Sequence, residues 1–207
     1  MNKTVVTIIL ALFLIIIIFI KESKNEVSYN RLESDAVILA FGDSLTYGFG
    51  VSSEFSYPSV MDKKTGLKVI NAGVNGEISD EGLTRLAKFL EKKPDLVILC
   101  HGGNDILLNL PKEKLKQNLL QMIRLIKLSD AGVILVGVPN FNVIGFDLLS
   151  LYSEVADDGG VILEDDVLRY IELHRNLKSD YVHPNKDGYE MMADAFIKLL
   201  KDKKVIR

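Results

Sequence analysis

Three residues in this sequence have the types and spacing to make and break an acyl bond. Ser44 lies in the turn Gly42-Asp43-Ser44-Leu45, and Asp180 and His183 share the stretch Asp180-Tyr181-Val182-His183-Pro184. A serine hydroxyl is a poor nucleophile until a neighbouring base takes its proton, and an imidazole serves as that base once a carboxylate fixes its tautomer. Asp180 is close enough along the chain to accept the Nδ1 hydrogen of His183. Pro184 restricts His183 to an extended conformation and is suited to open the following helix. Taken singly, each feature has a plainer reading. A serine just after a strand serves as a turn or cap residue, and Asp-x-x-His-Pro serves as a helix cap. Other chemistries lack their signatures: there is no G-x-x-x-x-G-K-[ST], no G-x-G-x-x-G after the first strand and no H-E-x-x-H. The Ser44 context is G-D-S-L-T, not the G-x-S-x-G of a nucleophile elbow.

Composition narrows the field further. The chain has 207 residues, 25 basic and 28 acidic, for a net charge of -3. That balance leaves no electrostatic footprint for nucleic acid. A single Cys excludes an intramolecular disulfide framework and a Cys-rich zinc site, and the three His residues are too widely separated for a His-built metal site. No metal or cofactor is expected.

The elements that must position these residues alternate along the chain. Short apolar runs predict strands over 36–41, 68–71, 95–100, 133–138 and 161–163. Helices are expected from near Tyr57 to Gly66, from Ser79 (as cap) to Leu90, from Pro111 to about Gly132, over 147–156 and over 187–201. Such alternation implies right-handed crossovers and a three-layer α/β/α, flavodoxin-like fold: a five-stranded, mainly parallel sheet with helices on both faces. Ligands in such sheets bind beyond the carboxyl ends of the strands. The loops there read Gly42-Asp43-Ser44-Leu45, Ala72-Gly73-Val74-Asn75-Gly76 and His101-Gly102-Gly103-Asn104-Asp105. Asp43 and Asp105 are expected to hold their own loops by Asx-type bonds, His101 to be structural, and Cys100 to be a buried small hydrophobe.

Taken together in order, these loops resemble the four blocks of the SGNH, or GDSL-type, hydrolase superfamily. The blocks are Gly42-Asp43-Ser44-Leu45, Asn71-Ala72-Gly73-Val74-Asn75-Gly76-Glu77, Gly102-Gly103-Asn104-Asp105 and Asp180-Tyr181-Val182-His183-Pro184. The bacterial thioesterase I, lysophospholipase and arylesterase branch is the most similar in length and block spacing. The resemblance implies Ser44 as nucleophile, His183 as general base and Asp180 as its orienting acid. It further implies an oxyanion hole formed by the backbone N–H groups of Ser44 and Gly76 and the side-chain amide of Asn104. The implied activity is serine-esterase hydrolysis of acyl esters or thioesters. A carbohydrate O-deacetylase of the same fold and a non-catalytic binding module are the alternatives. The expected partner is a small-molecule acyl ester or a lipid, and the expected state a monomer.

Residues 4–20 carry no charge and would span about 25 Å as a helix, against a hydrocarbon core of about 30 Å. Lys3 precedes the run and no small-x-small cleavage site follows it. Residues 1–20 are therefore read as a membrane anchor, with a cleaved signal as the alternative, residues 21–34 as a linker and residues 35–207 as the hydrolase domain. The anchor places the catalytic domain outside the cytoplasm, and cleavage would make it secreted. Between residues 141 and 151, Phe141, Ile144 and Phe146 are expected either to line an acyl groove or to pack as a helix and its lead-in.

Overall fold

In the computed structural model, which describes residues 27–139 and 150–207, five strands form one sheet in the order β2-β1-β3-β4-β5. They are β1 (Val37–Gly42), β2 (Lys68–Gly73), β3 (Leu96–Cys100), β4 (Gly132–Val136) and β5 (Ile162–Glu164). Every pairing is parallel, with Ile38 opposite Leu96 and Gly42 opposite both Gly73 and Cys100. This is the flavodoxin-like order expected from the alternation. The central strands read Val-Ile-Leu-Ala-Phe and Leu-Val-Ile-Leu-Cys without alternating polarity because both their faces are covered. All five residues of β3 are buried.

Among the described residues, eight α-helices surround the sheet: α1 (Ser44–Tyr47), α2 (Tyr57–Thr65), α3 (Ser79–Leu90), α4 (Gly103–Leu107), α5 (Lys112–Leu128), α6 (Ser150–Gly159), α7 (Val167–Leu173) and α8 (Lys186–Asp202). The chain steps from β1 to β2 in one direction and from β2 through β3 to β5 in the other. Right-handed crossovers therefore place α2 on one face and α3, α5 and α6 on the other. α8 completes the first layer against α2, and α3, α5 and α6 pack in succession in the second. The reversal falls between β1 and β3, so the crevice that such a switch opens lies at their carboxyl ends.

Several local expectations are corrected. The short helices α1, α4 and α7 were not anticipated, since one or two turns show no readable apolar period. Ser79 does not cap α3: it is the first helical residue, and Ile78 before it is held through its N–H by the Glu81 carboxylate at 3.2 Å. Pro184 does not open α8. It lies in an antiparallel bridge with Lys178, and Asn185 caps the helix by accepting from the Gly188 N–H at 3.1 Å.

Residues 27–36 lie under the amino ends of the strands. The Tyr29 hydroxyl donates to the Val133 carbonyl at 2.6 Å, and the Leu32 N–H donates to the Val205 carbonyl at 2.8 Å. The uncharged run over 4–20 lies outside the described residues. Among those described, no helix is long and apolar enough to cross a membrane.

Candidate active site

Gly42 ends β1 at a close approach. A Cβ there would stand 2.0 Å from the Cys100 carbonyl oxygen and 2.4 Å from Thr46 Oγ1, so only glycine lets the chain turn beside β3. Asp43 caps α1 by accepting the Leu45 N–H at 3.0 Å, as an Asx-type role requires. Burial raises the Asp43 pKa, against the pull of His101. Ser44 is thereby the first residue of α1, a position whose N–H has no intrahelical partner. The residue is almost covered, at 9% exposure.

The imidazole beside Ser44 arrives from the other end of the chain. The loop before α8 is closed by two backbone bonds, from Ser179 N–H to the His183 carbonyl at 2.9 Å and from Asn185 N–H to the Leu177 carbonyl at 2.8 Å. Within it, Asp180 Oδ1 accepts the N–H groups of Val182 at 2.8 Å and His183 at 2.7 Å. Its other oxygen meets His183 Nδ1 at 2.8 Å. Burial pushes the Asp180 pKa up, but the His183 N–H, the imidazole and the Val182 N–H outweigh it and hold the group at about 2. An ionised carboxylate only accepts, so the hydrogen sits on Nδ1 and the lone pair of Nε2 is free. That nitrogen lies 3.0 Å from Ser44 Oγ. Residues far apart in sequence thus bring a hydroxyl, an imidazole and a carboxylate into hydrogen-bonded series.

The other two loops flank this array. Val74, Asn75, Gly76 and Glu77 form a turn closed by Glu77 N–H to the Val74 carbonyl at 3.4 Å. Gly76 has φ +75°, in the left-handed region that glycine enters without strain. Asn104, in the first turn of α4, donates one side-chain hydrogen to the Glu77 carbonyl at 3.0 Å. Its amide carries a second hydrogen for a ligand. Tyr47, Phe49, Val74, Leu108 and Tyr181 are exposed apolar side chains on or beside the loops that carry these groups. A cavity of about 530 Å3 lies at the opposite pole, between residues 28–36 and the starts of β3 and β4, and contains none of them.

Of the residues assigned to an acyl groove, Phe141, Ile144 and Phe146 lie outside the described residues. Leu151, at the end of the same stretch, is a buried core residue of α6. Asp105 does not hold its own loop. It accepts the Ser79 N–H at 2.8 Å and the Ser79 hydroxyl at 2.6 Å, which ties α4 to the start of α3.

Sequence reasoning missed a buried cluster beneath the second and third loops. Arg85, on α3, contacts the Glu77 carboxylate through both Nε and Nη2, the latter at 2.6 Å. His101 Nε2 lies 2.9 Å from the same carboxylate, while its Nδ1 accepts the Gly102 N–H at 3.0 Å. The imidazole hydrogen is therefore on Nε2, the reverse of His183. The Glu77 pKa is lowered: burial opposes this, and the hydrogen bonds from His101 and Arg85 prevail. The only sequence hint was the acidic residue directly after Gly76.

Residues 40–191 match the GDSL-like lipase/acylhydrolase family. The chain is 30% identical over 168 residues to the arylesterase of Vibrio mimicus, covering 76% of this chain and 84% of that protein. It is 28% identical over 179 residues to the thioesterase 1/protease 1/lysophospholipase L1 of Escherichia coli K12, covering 83% and 86% respectively. Among solved structures it is similar to the psychrotrophic esterase EstA from Pseudoalteromonas sp., in a form inhibited by monoethylphosphonate. That likeness has a TM-score of 0.73 and 26% identity, over 81% of this chain and 98% of that one.

Proposed function

Because the chain belongs to the GDSL-like lipase/acylhydrolase family and is a serine hydrolase of ester bonds, we propose that Ser44 is its nucleophile, His183 its general base and Asp180 the acid that orients the base. His183 Nε2 takes the hydroxyl proton as Ser44 Oγ attacks the acyl carbon. The tetrahedral oxyanion is received by the N–H groups of Ser44 and Gly76 and the free hydrogen of the Asn104 amide, donors aimed where charge develops. His183 then gives its proton to the departing alcohol or thiol. Water, deprotonated by the same nitrogen, releases the acid from Ser44. The observation that carries this reading is the 3.0 Å contact between His183 Nε2 and Ser44 Oγ, with Asp180 fixing the tautomer.

The substrates are acyl esters or thioesters of short to medium chain, met by the apolar side chains around the mouth. Each buried methylene contributes about 0.8 kcal/mol. The enzyme acts as a monomer, held to a membrane outside the cytoplasm by residues 1–20. Support for the anchor is the uncharged run over 4–20 and the missing cleavage site after it.

The test is kcat/KM for p-nitrophenyl esters from two to about twelve carbons, with Ser44→Ala as control and a fluorophosphonate as label. The expected result is an efficiency that rises beyond acetate, no hydrolysis by Ser44→Ala, and label on Ser44. A maximum at acetate would move the substrate to acetyl esters such as acetylated sugars. Hydrolysis retained by Ser44→Ala would overturn the assignment.

A further inference from the structure

Arg85, Glu77 and His101 form a buried cluster to which the acyl-transfer steps give no task. Glu77 is 5% exposed and His101 fully covered. Burying such charges costs free energy that good hydrogen bonding at best offsets, so the cluster is poorly explained as a source of stability. Its contacts are directed at the chain instead. Arg85 Nη2 donates to the carbonyls of Gly42 at 3.1 Å and Ala72 at 2.8 Å, at the carboxyl ends of β1 and β2. Its guanidinium lies 4.0 Å above the Phe41 ring centre. One side chain thus ties the strand end before Ser44 to the strand end before Gly76, while gripping Glu77.

Glu77 is the residue on which both remaining oxyanion donors depend. It closes the turn containing Gly76, and its carbonyl holds the Asn104 amide at 3.0 Å. With φ positive at Gly76 and not at Asn75, that turn has the type II pattern. Types I and II differ by a flip of the central peptide, whose N–H belongs to Gly76. The turn type therefore decides whether that N–H faces the reacting carbonyl or faces away.

We propose that Arg85, Glu77 and His101 are the positioning residues of the oxyanion hole: clamping the Glu77 side chain fixes the turn that aims Gly76 N–H and the carbonyl that aims Asn104. This rests on the donor assignment made under the proposed function. None of the three touches the substrate.

The experiment compares Glu77→Gln, Arg85→Lys, Asn104→Ala and the double variant Glu77→Gln/Asn104→Ala on one p-nitrophenyl ester. Rates are expressed per fluorophosphonate-titrated site, so that misfolded protein does not count. Glu77→Gln keeps the size of the side chain but not its charge, and Arg85→Lys keeps the charge but not the two-pronged grip. Each should lower kcat by about tenfold to a hundredfold and leave KM within about twofold, as expected for donors that act in the transition state. The double variant should be worse than Asn104→Ala alone but by less than the product of the two single losses, because Glu77 acts partly through that amide and partly through the Gly76 N–H. Multiplying losses in the double variant, or an unchanged kcat in Arg85→Lys, would overturn the proposal while Ser44→Ala remained inactive. If Glu77→Gln does not fold, the same cycle is run with Arg85→Lys. Activity retained by Ser44→Ala would instead overturn the proposed function beneath it.

Discussion

The ring of Phe49 lies against the imidazole of His183, their centres 4.4 Å apart and their planes tilted by 41°. Phe49 follows α1, the helix that Ser44 opens, and its carbonyl accepts the Tyr189 hydroxyl at 3.0 Å from α8. The segment that carries Ser44 therefore also supplies a wall for the His183 ring. Such ring contacts contribute about 0.5–1.5 kcal/mol. Phe49→Ala should accordingly lower kcat by roughly threefold to tenfold, and Phe49→Leu should recover part of the loss. Steady-state rates decide it: a wild-type kcat in Phe49→Ala would show that the ring contact does not hold His183 in place.

His183→Ala should lose nearly as much activity as Ser44→Ala, and the double variant should be no worse than either, because the two act as a unit. Asp180→Asn should be slow but measurable, with a loss of about 10^4 as in other Ser-His-Asp enzymes. The Asp180 pKa is depressed to about 2, so its favourable contribution is complete above the ordinary value of 3.8 and fades as pH falls through 2. A pH–rate profile should show no limb from this carboxylate above about pH 4. A titration assigned to Asp180 near neutrality would contradict its place beside the imidazole.

Asn104→Ala should cut kcat by about a hundredfold or more with little change in KM. An effect confined to KM would make the amide a ground-state contact.

Glu164 ends β5 as a buried carboxyl. Burial raises its pKa from 4.5 to about 7, against hydrogen bonds from the Val167 and Asp166 N–H groups. Its Oε2 has no hydrogen-bond partner among the described residues. Below pH 4.5 the folded and unfolded chains both hold the proton. As pH rises from 4.5 to 7 the unfolded chain releases it first, so stability falls. The full shift corresponds to roughly 3 kcal/mol. Glu164→Gln keeps an acceptor for the Val167 N–H and should flatten this slope, gaining up to about that amount at pH 8. Denaturant unfolding of both proteins at pH 4.5 and pH 8 measures it, and equal slopes would refute the buried penalty.

Full-length protein should fractionate with membranes, and removal of residues 1–20 should release a soluble, active enzyme. Recovery of a mature form that starts after residue 20 would identify the segment as a cleaved signal.

The parts of this molecule legible in its sequence are those encoded by neighbours. Uniform apolarity marks β1 and β3, and the three-residue spacing of Asp180 and His183 is itself the contact. The roles proposed for Gly76 and Asn104 come from the resemblance, since nothing in their own spacing distinguishes an oxyanion donor from a turn residue. What stayed hidden acts across the sheet. Asp105 holds the start of α3, Arg85 ties two strand ends, and Phe49 backs the His183 ring. None of these partners lies on a repeating face that a period would reveal. Even the local reading erred where two cap signals adjoined: Pro184 looked like the start of α8, but Asn185 has the side-chain oxygen that a cap needs.

The seating of residues 27–36 sets which way the enzyme looks. Tyr29 and Leu32 fasten them beneath the amino ends of the strands, whereas Ser44 stands past the other end of β1. That strand has six residues, about 20 Å of length. The chain thus leaves the domain at the pole opposite its mouth, and the residues between Ile20 and Val27 extend no more than about 25 Å. A bilayer holding residues 4–20 would carry the enzyme with its back to the lipid and its opening turned outward. Molecules drifting in from the surrounding fluid would reach Ser44 directly, while acyl chains in the supporting leaflet would lie behind it, out of range on so short a tether.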